Sequence, residues 1–406
     1  MKRFLTASVF LLLCACFLAP GATPGRTLRI DYIFSGSAQG SSIAVDELRS
    51  LEGWAGRTVN MDKVPLRGNG QICMKAADGR VLYRNSFSTL FQEWLATEEA
   101  LSVSRSFQNV FLLPMPGEPV LVTVELYDNH GLPLASLTHP VNPSDILVRP
   151  AEARPSGVKD ILINGPVDKC IDVVIVAEGY TATEMDRFYE DAATAVESIL
   201  SHEPFGRLSG RFNFRAVGLE SPVSGVSVPR QGLWLDTPLH SHFDTFYSAR
   251  YLTTLHVKDL HDALAGVPYE HIIILANTDT YGGGGIFNSY TLTTAHHPLF
   301  KPVVVHEFGH SFAGLADEYY YDDQFSDTYY PDYEPWEQNI TTKADFASKW
   351  EDMVGKDGVG LYEGGGYKSK GVWRGARDCR MKTNTAKSFC PVCQRAIERI
   401  ISFYTE

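Results

Sequence analysis

The chain has 406 residues, 44% of them hydrophobic, with 36 Lys and Arg against 48 Asp and Glu and a formal net charge of -12. That length is enough for two domains, each able to bury a core of its own. The excess of acid argues against nucleic acid as a partner, because phosphate binding requires basic patches.

Residues 1–22 read as an export leader and not as part of the fold. Lys2 and Arg3 precede an apolar run from Phe4 to Leu18, and small residues follow at Ala19, Gly21 and Ala22, the layout of a secretory signal. Leu13-Cys14-Ala15-Cys16 also resembles a lipobox, in which Cys16 would become an acylated first residue and a lipid the only membrane tether. No later stretch carries the 18 or more apolar residues that a membrane helix requires. The expected location is outside the cytoplasm: periplasmic, outer-membrane lipoprotein, or extracellular. Beyond the leader remain Cys73, Cys170, Cys379, Cys390 and Cys393, an odd count that allows at most two disulfides in an oxidising compartment.

Residues 23–150 are expected to form an antiparallel β-sandwich. Arg29 to Phe34, Gln71 to Met74, Arg80 to Tyr83, Val110 to Leu113 and Val120 to Tyr127 are short apolar and aromatic runs separated by Gly, Pro, Asn and Asp, the punctuation of strands. This domain carries no evident chemistry and reads as an accessory that packs on the second domain or positions substrate for it. Pro140, Pro143, Pro150 and Pro155 then punctuate an extended connection.

Residues 151–406 change to alternating strands and helices, which makes the whole chain α+β. Ile171 to Ala177 is a buried strand, and Thr181 with Glu184 forms a capping box that opens an amphipathic helix through about His202. Phe212 to Ala216, a helix over Phe243 to Leu264, and a strand over His271 to Ala276 come next. Gly282 to Gly285 reads as a flexible turn into an edge strand over Ile286 to Thr294.

The motif that organises the chain is His306-Glu307-Phe308-Gly309-His310. Two histidines four apart lie one above the other on a helix face, and neutral imidazoles at that spacing supply two of the three protein ligands of a catalytic zinc. Glu307 stands where the general base is expected. Pro302 suits the first helical position and Gly314 a left-handed stop. Three residues beyond that glycine Asp317 offers a third ligand, with Glu318 either the alternative ligand or the hydrogen-bond partner of a histidine. Tyr319, Tyr320, Tyr321, Tyr329, Tyr330 and Tyr333 interleave with Asp322, Asp323, Asp327 and Asp332. They read as an ordered loop, as a cleft lining with one oxyanion donor, or as a structural calcium site, although their spacing matches no calcium loop.

Together with the strand–helix order, HExxH resembles the upper half of a metzincin-type metallopeptidase, in which a mixed sheet backs the active-site helix and its edge strand pairs with an extended substrate. The glycine comes one residue later here than in HExxHxxGxxH, while the offset from glycine to third ligand is kept by Asp317. Cys379-Arg380-Met381 resembles the Met-turn, with Met381 packing beneath the metal site without binding it. HEFGHSFAGLADEYYY, the stretch from Gly364 to Met381, and Phe389 to Cys393 resemble the IgA-peptidase family of bacterial zinc metallopeptidases. The resemblance implies a secreted or surface endopeptidase with one catalytic zinc, hydrolysing peptide bonds of protein or peptide substrates bound in extended form. Cys390-Pro391-Val392-Cys393 opens the final helix, and a disulfide from Cys379 to Cys390 or Cys393 is expected to fasten the Met-turn to it. A different class stays open: a catalytically inactive adhesin or glycan-binding protein on the same scaffold.

Overall fold

The computed structural model describes residues 25–152, 157–321 and 329–406. The leader with its Cys16, Pro155, and the acids Asp322, Asp323 and Asp327 lie outside the described residues.

Alternation of apolar and polar residues folds the first half into strands. β1 (Arg26–Ser37), β2 (Gly40–Glu52), β3 (Gly70–Lys75) and β4 (Val81–Phe87) lead to the short helix α1 (Leu90–Leu95). β5 (Arg105–Pro114), β6 (Val120–Tyr127), β7 (Pro133–Val141) and the two-residue β8 (Arg149–Pro150) come after it. They make two four-stranded sheets, ordered β5-β1-β2-β8 and β4-β3-β6-β7. In β6, Val120, Val122, Val124 and Leu126 are buried while Leu121 between them is exposed, so the period of two sets the face that turns inward. β2 and β7 lack long apolar runs and are largely half-exposed, which is why they give no strand signal in the sequence.

The second half contains β9 (Val158–Leu162), β10 (Ile171–Glu178), α2 (Met185–Leu200), β11 (Phe212–Val217), α3 (Val257–Ala263) and β12 (His271–Ala276). It continues with β13 (Gly283–Ile286), β14 (Tyr290–Thr294), α4 (Phe300–Ala313), β15 (Ile340–Thr341), β16 (Tyr362–Gly365), β17 (Lys368–Arg374) and α5 (Pro391–Thr405). The main sheet has the order β13-β14-β12-β10-β11-β9, and β15, β17 and β16 form a small separate sheet. β10, β11, β12 and β14 run parallel, with antiparallel β9 and β13 at the two edges. Ile171, Val173 and Ile175 share an apolar cluster with residues of α2, α4 and α5. Val174 and Val176 instead join the cluster that contains Tyr32, Phe34 and Val124 of the sandwich. One core therefore runs from the sandwich into the back of the sheet, and a second lies between the other face of the sheet and α2, α4 and α5.

Three local expectations change. The Thr181–Glu184 capping box forms, with the Glu184 carboxylate accepting from the Thr181 backbone N–H at 2.9 Å. The helix expected over Phe243 to Leu264, however, is only α3, because Asp244, Phe246 and Tyr247 sit at positive φ and break any helix there. The glycine run is not a turn: Gly283–Ile286 is itself the edge strand, and β14 lies one place inside it. α4 begins at Phe300, so Pro302 is its third residue, a position whose N–H likewise needs no partner within the helix.

At the junction of sandwich and sheet the Arg29 guanidinium is fully buried, 2.7 Å from Asp31 and 2.5 Å from Asp262 of α3. Arg49 reaches the same Asp262 carboxylate at 2.7 Å. Arg29→Ala leaves the buried Asp31 carboxylate without its partner and should cost about 3–5 kcal/mol. Urea unfolding should show this as a lower midpoint, while breaking the more exposed Lys258–Asp46 pair with Lys258→Ala should cost no more than about 1 kcal/mol.

Candidate active site

α4 carries His306, Glu307 and His310 to the floor of a cleft of about 690 Å³. Its opposite side, with Val305, Phe308 and Phe312, is buried in the core. The helix ends at Gly314, whose φ of 58° lets the chain reverse where a Cβ would also meet the Trp336 ring at 2.5 Å. The returning segment is then clamped on three sides. The Asn339 side chain takes both the N–H and the C=O of Ala316, each at 2.8 Å. The Asp317 carbonyl accepts from Gly366 N–H, and Glu318 N–H donates to the Met381 carbonyl, again at 2.8 Å.

These restraints bring one oxygen of Asp317 to 3.0 Å from His306 Nε2 and 3.3 Å from His310 Nε2. The two Nε2 atoms are themselves 3.0 Å apart. The Nδ1 of each ring faces a backbone carbonyl, Arg380 O at 3.0 Å for His306 and Leu315 O at 2.5 Å for His310. A carbonyl can only accept, so each Nδ1 carries a hydrogen, and whenever a ring is neutral, as a metal ligand must be, its Nε2 lone pair aims at the shared point. Ligands at about 2.0–2.1 Å in tetrahedral array around zinc lie roughly 3.3 Å apart, close to the spacing found. Two imidazoles and a carboxylate thus fit a metal ion. The other Asp317 oxygen accepts from the Tyr367 hydroxyl.

The local field favours a cation. Burial works against a charge on His310, yet the Asp317 and Glu307 carboxylates and the Leu315 carbonyl outweigh it and lift the ring to about 9. Burial would likewise raise Asp317, but His310 and His306 hold it well below the usual carboxylate range. Glu307 is pushed up by its place at the cleft floor, with the two histidines opposing.

Glu318, expected as an alternative ligand or as a partner to a histidine N–H, does neither. It turns away from the histidines and lies with Cys379, Cys390 and Cys393. The disulfide expected among those cysteines is absent as well. All five cysteines of the described residues are free thiols, and Cys379 Sγ stands 3.7 Å from Cys393 Sγ, against about 2.05 Å for a bonded pair. Met381 is fully buried with its sulfur against Gly309, between the two histidines on α4, where a Cβ would come within 2.8 Å.

Tyr319 of the tyrosine cluster and groups from distant parts of the chain complete the cleft. Tyr319 stacks at a 20° interplanar angle on His306 and accepts from Arg250 at 3.2 Å. The sandwich supplies part of the opposite wall, including Asn69, Glu93 and Tyr127. Glu93 lies deep among the cleft-lining atoms, which push its carboxyl up, although the side chain stays open to solvent and accepts a hydrogen bond from the Tyr251 hydroxyl. Only the fold could place it there, since it is far from HExxH in sequence.

The fold and site define a peptidase built on an HExxH helix, with a β-rich domain walling its cleft. Residues 160–358 and 356–401 match the IgA Peptidase M64 family, and residues 22–137 match the Peptidase M64 N-terminus. The chain belongs to this family. No curated protein matches it significantly.

β13 crosses α4 so closely that a Cβ on Gly285 would stand 2.3 Å from the Glu307 carbonyl and 2.8 Å from His310 Cβ. Gly285→Ala should therefore part strand and helix, cost about 1–3 kcal/mol and lower turnover. Gly40→Ala, which meets nothing within 4 Å, should change neither the thermal midpoint nor the rate of peptide cleavage.

Proposed function

We propose that the chain is an exported zinc endopeptidase that cleaves extended protein segments, with His306, His310 and Asp317 as the metal ligands and Glu307 as the general base. The observation that carries this reading is the convergence of two Nε2 lone pairs and one carboxylate oxygen beside the half-buried Glu307 on a cleft floor. A zinc ion held by His306, His310 and Asp317 would supply the Lewis acidity that activates water and the peptide carbonyl near neutral pH. Glu307 takes the proton from that water and hands it to the leaving nitrogen. Its carboxylate lies against Gly283 of the edge strand, beside the path of a bound main chain. Tyr319, kept protonated by burial, is the hydroxyl best placed to donate to the oxygen that becomes negative.

Substrate would pair with a shorter edge than the sequence suggests. Gly283 already exchanges backbone hydrogen bonds with Arg250 and Leu252. By the two-residue alternation of a strand, Gly285 points its N–H and C=O the same way, and the open edge begins there. The sandwich wall opposite, with Asn69, Glu93 and Tyr127, then contacts side chains of the substrate. The Lys2 to Ala22 leader supports export, and Cys16 a lipid tether.

Glu307→Gln should keep its metal and lose about 10²–10⁴-fold in turnover, since only the proton carrier is changed. Asp317→Ala should instead lose metal from the histidine site, read by chelator titration. Undiminished hydrolysis of a mixed peptide library by the Glu307 variant would falsify the mechanism, and an inert wild type loaded with zinc would favour the adhesin reading.

Main-chain pairing at an edge strand also predicts which substrates are cut. Unfolded or extended segments should be cleaved and stable helices spared, and proteomic cleavage-site mapping on native and denatured extracts checks this directly.

A further inference from the structure

Below the histidine site lies a second cluster that the peptidase chemistry does not use. Cys379 precedes Met381, Cys390 and Cys393 open α5, and Glu318 is the residue after Asp317. All four side chains are buried, Glu318 and Cys393 completely. Their ligand atoms lie within 4.8 Å of one another. Cys379 Sγ is 3.7 Å from Cys393 Sγ, and Cys393 Sγ is 3.0 Å from Glu318 Oε1. Glu318 Oε1 also accepts from Asn339 at 3.1 Å, while its Oε2 has no hydrogen-bond partner among the described residues. A fully buried carboxylate oxygen without a partner is costly, and it belongs to a carboxylate whose other oxygen lies against one of three clustered sulfurs.

From this geometry we infer that Glu318, Cys379, Cys390 and Cys393 form a second, structural metal site for a tetrahedral thiolate-binding ion of the zinc class. Four protein ligands and no access to solvent describe a closed site rather than a catalytic one. Thiolates at about 2.3 Å from one ion stand roughly 3.8 Å apart, close to the separation of Cys379 and Cys393. A disulfide would use two of the sulfurs and leave a thiol and a buried carboxylate facing it, whereas one ion satisfies all four groups. The cluster has local support: Cys390 N–H donates to Cys379 Sγ at 3.2 Å, and the charges of Arg374 and Arg380 act on Glu318 and Cys379 respectively. Such an ion would tie together the segment after α4, the turn that holds Met381, and the last helix.

The inference is independent of the peptidase reading, and its test is metal content rather than activity. The full chain purified without chelator should carry two zinc ions, and a His306→Ala/His310→Ala variant should still carry one. Loaded with cobalt(II), that variant should show thiolate-to-cobalt charge-transfer absorption, lost on adding Cys390→Ser and retained with faster release to chelator in Glu318→Gln. Should the cysteine variant not fold, alkylation of the denatured, chelated and unreduced chain decides the matter. Mass spectrometry should then find Cys379, Cys390 and Cys393 all alkylated. A metal-free double-histidine variant, or two of these cysteines joined to each other, overturns the second site. Loss of hydrolysis alone would bear only on the first.

Discussion

An imidazole can aim only one of its nitrogens at a given partner, and in this chain the Leu315 and Arg380 carbonyls decide which. By taking the Nδ1–H groups of His310 and His306 at 2.5 and 3.0 Å, they leave both Nε2 lone pairs pointing at one place. Everything else at the cleft floor depends on where those two carbonyls stand. Leu315 is positioned by the reversal at Gly314, and Arg380 by the turn that packs Met381 under α4. A helix with HExxH but without these two acceptors would present rings free to rotate, and the 3.0 Å approach of the Nε2 atoms would not persist.

The same constraint explains why the cleft needs the β-sandwich. Charges at the floor act strongly only where water is excluded, and residues such as Asn69, Glu93 and Tyr127 close the cleft from the sandwich side. The sandwich is held in register by a continuous apolar core and by Arg29, whose guanidinium is saturated by Asp31 and Asp262. Its place in the molecule is thus structural and, through the wall it lends, part of the cleft.

How far the sequence reveals this differs from element to element. β6 and β10 are legible because their burial comes directly from apolar alternation and from a continuous apolar run, and the start of α2 because its capping box is local. The grouping of His306, His310 and Asp317 is legible too, being set by one helix and one turn. The edge strand is not, since four residues that include three glycines carry no strand signal; they are a strand because α4 leaves no room for a Cβ at Gly285. The segment from Phe243 to His256 reads as helix in the sequence, while in the fold Asp244, Phe246 and Tyr247 take positive φ and Tyr251 bridges to Gly283 of β13. Glu93 and Asn339 have no motif, and their roles depend on contacts between residues far apart in sequence.

Asp317 and Glu318 are the case where local and distant determinants meet. In an extended segment adjacent side chains leave on opposite sides, so a single chain passage can serve two clusters. Asp317 turns to the histidines and Glu318 to the three cysteines. Shifting this passage by one residue would exchange the two carboxylates, placing a longer side chain at the histidines and a shorter one at the sulfurs. The clamp on Ala316 by Asn339 and the hydrogen bond from Glu318 N–H to the Met381 carbonyl oppose that slip. Asn339 also reaches Glu318 Oε1 at 3.1 Å, so the residue that fixes the register of the passage also orients one of its two carboxylates. Asp317 and Glu318 share one peptide unit, so a single clamped chain passage sets the position of a carboxylate in each cluster.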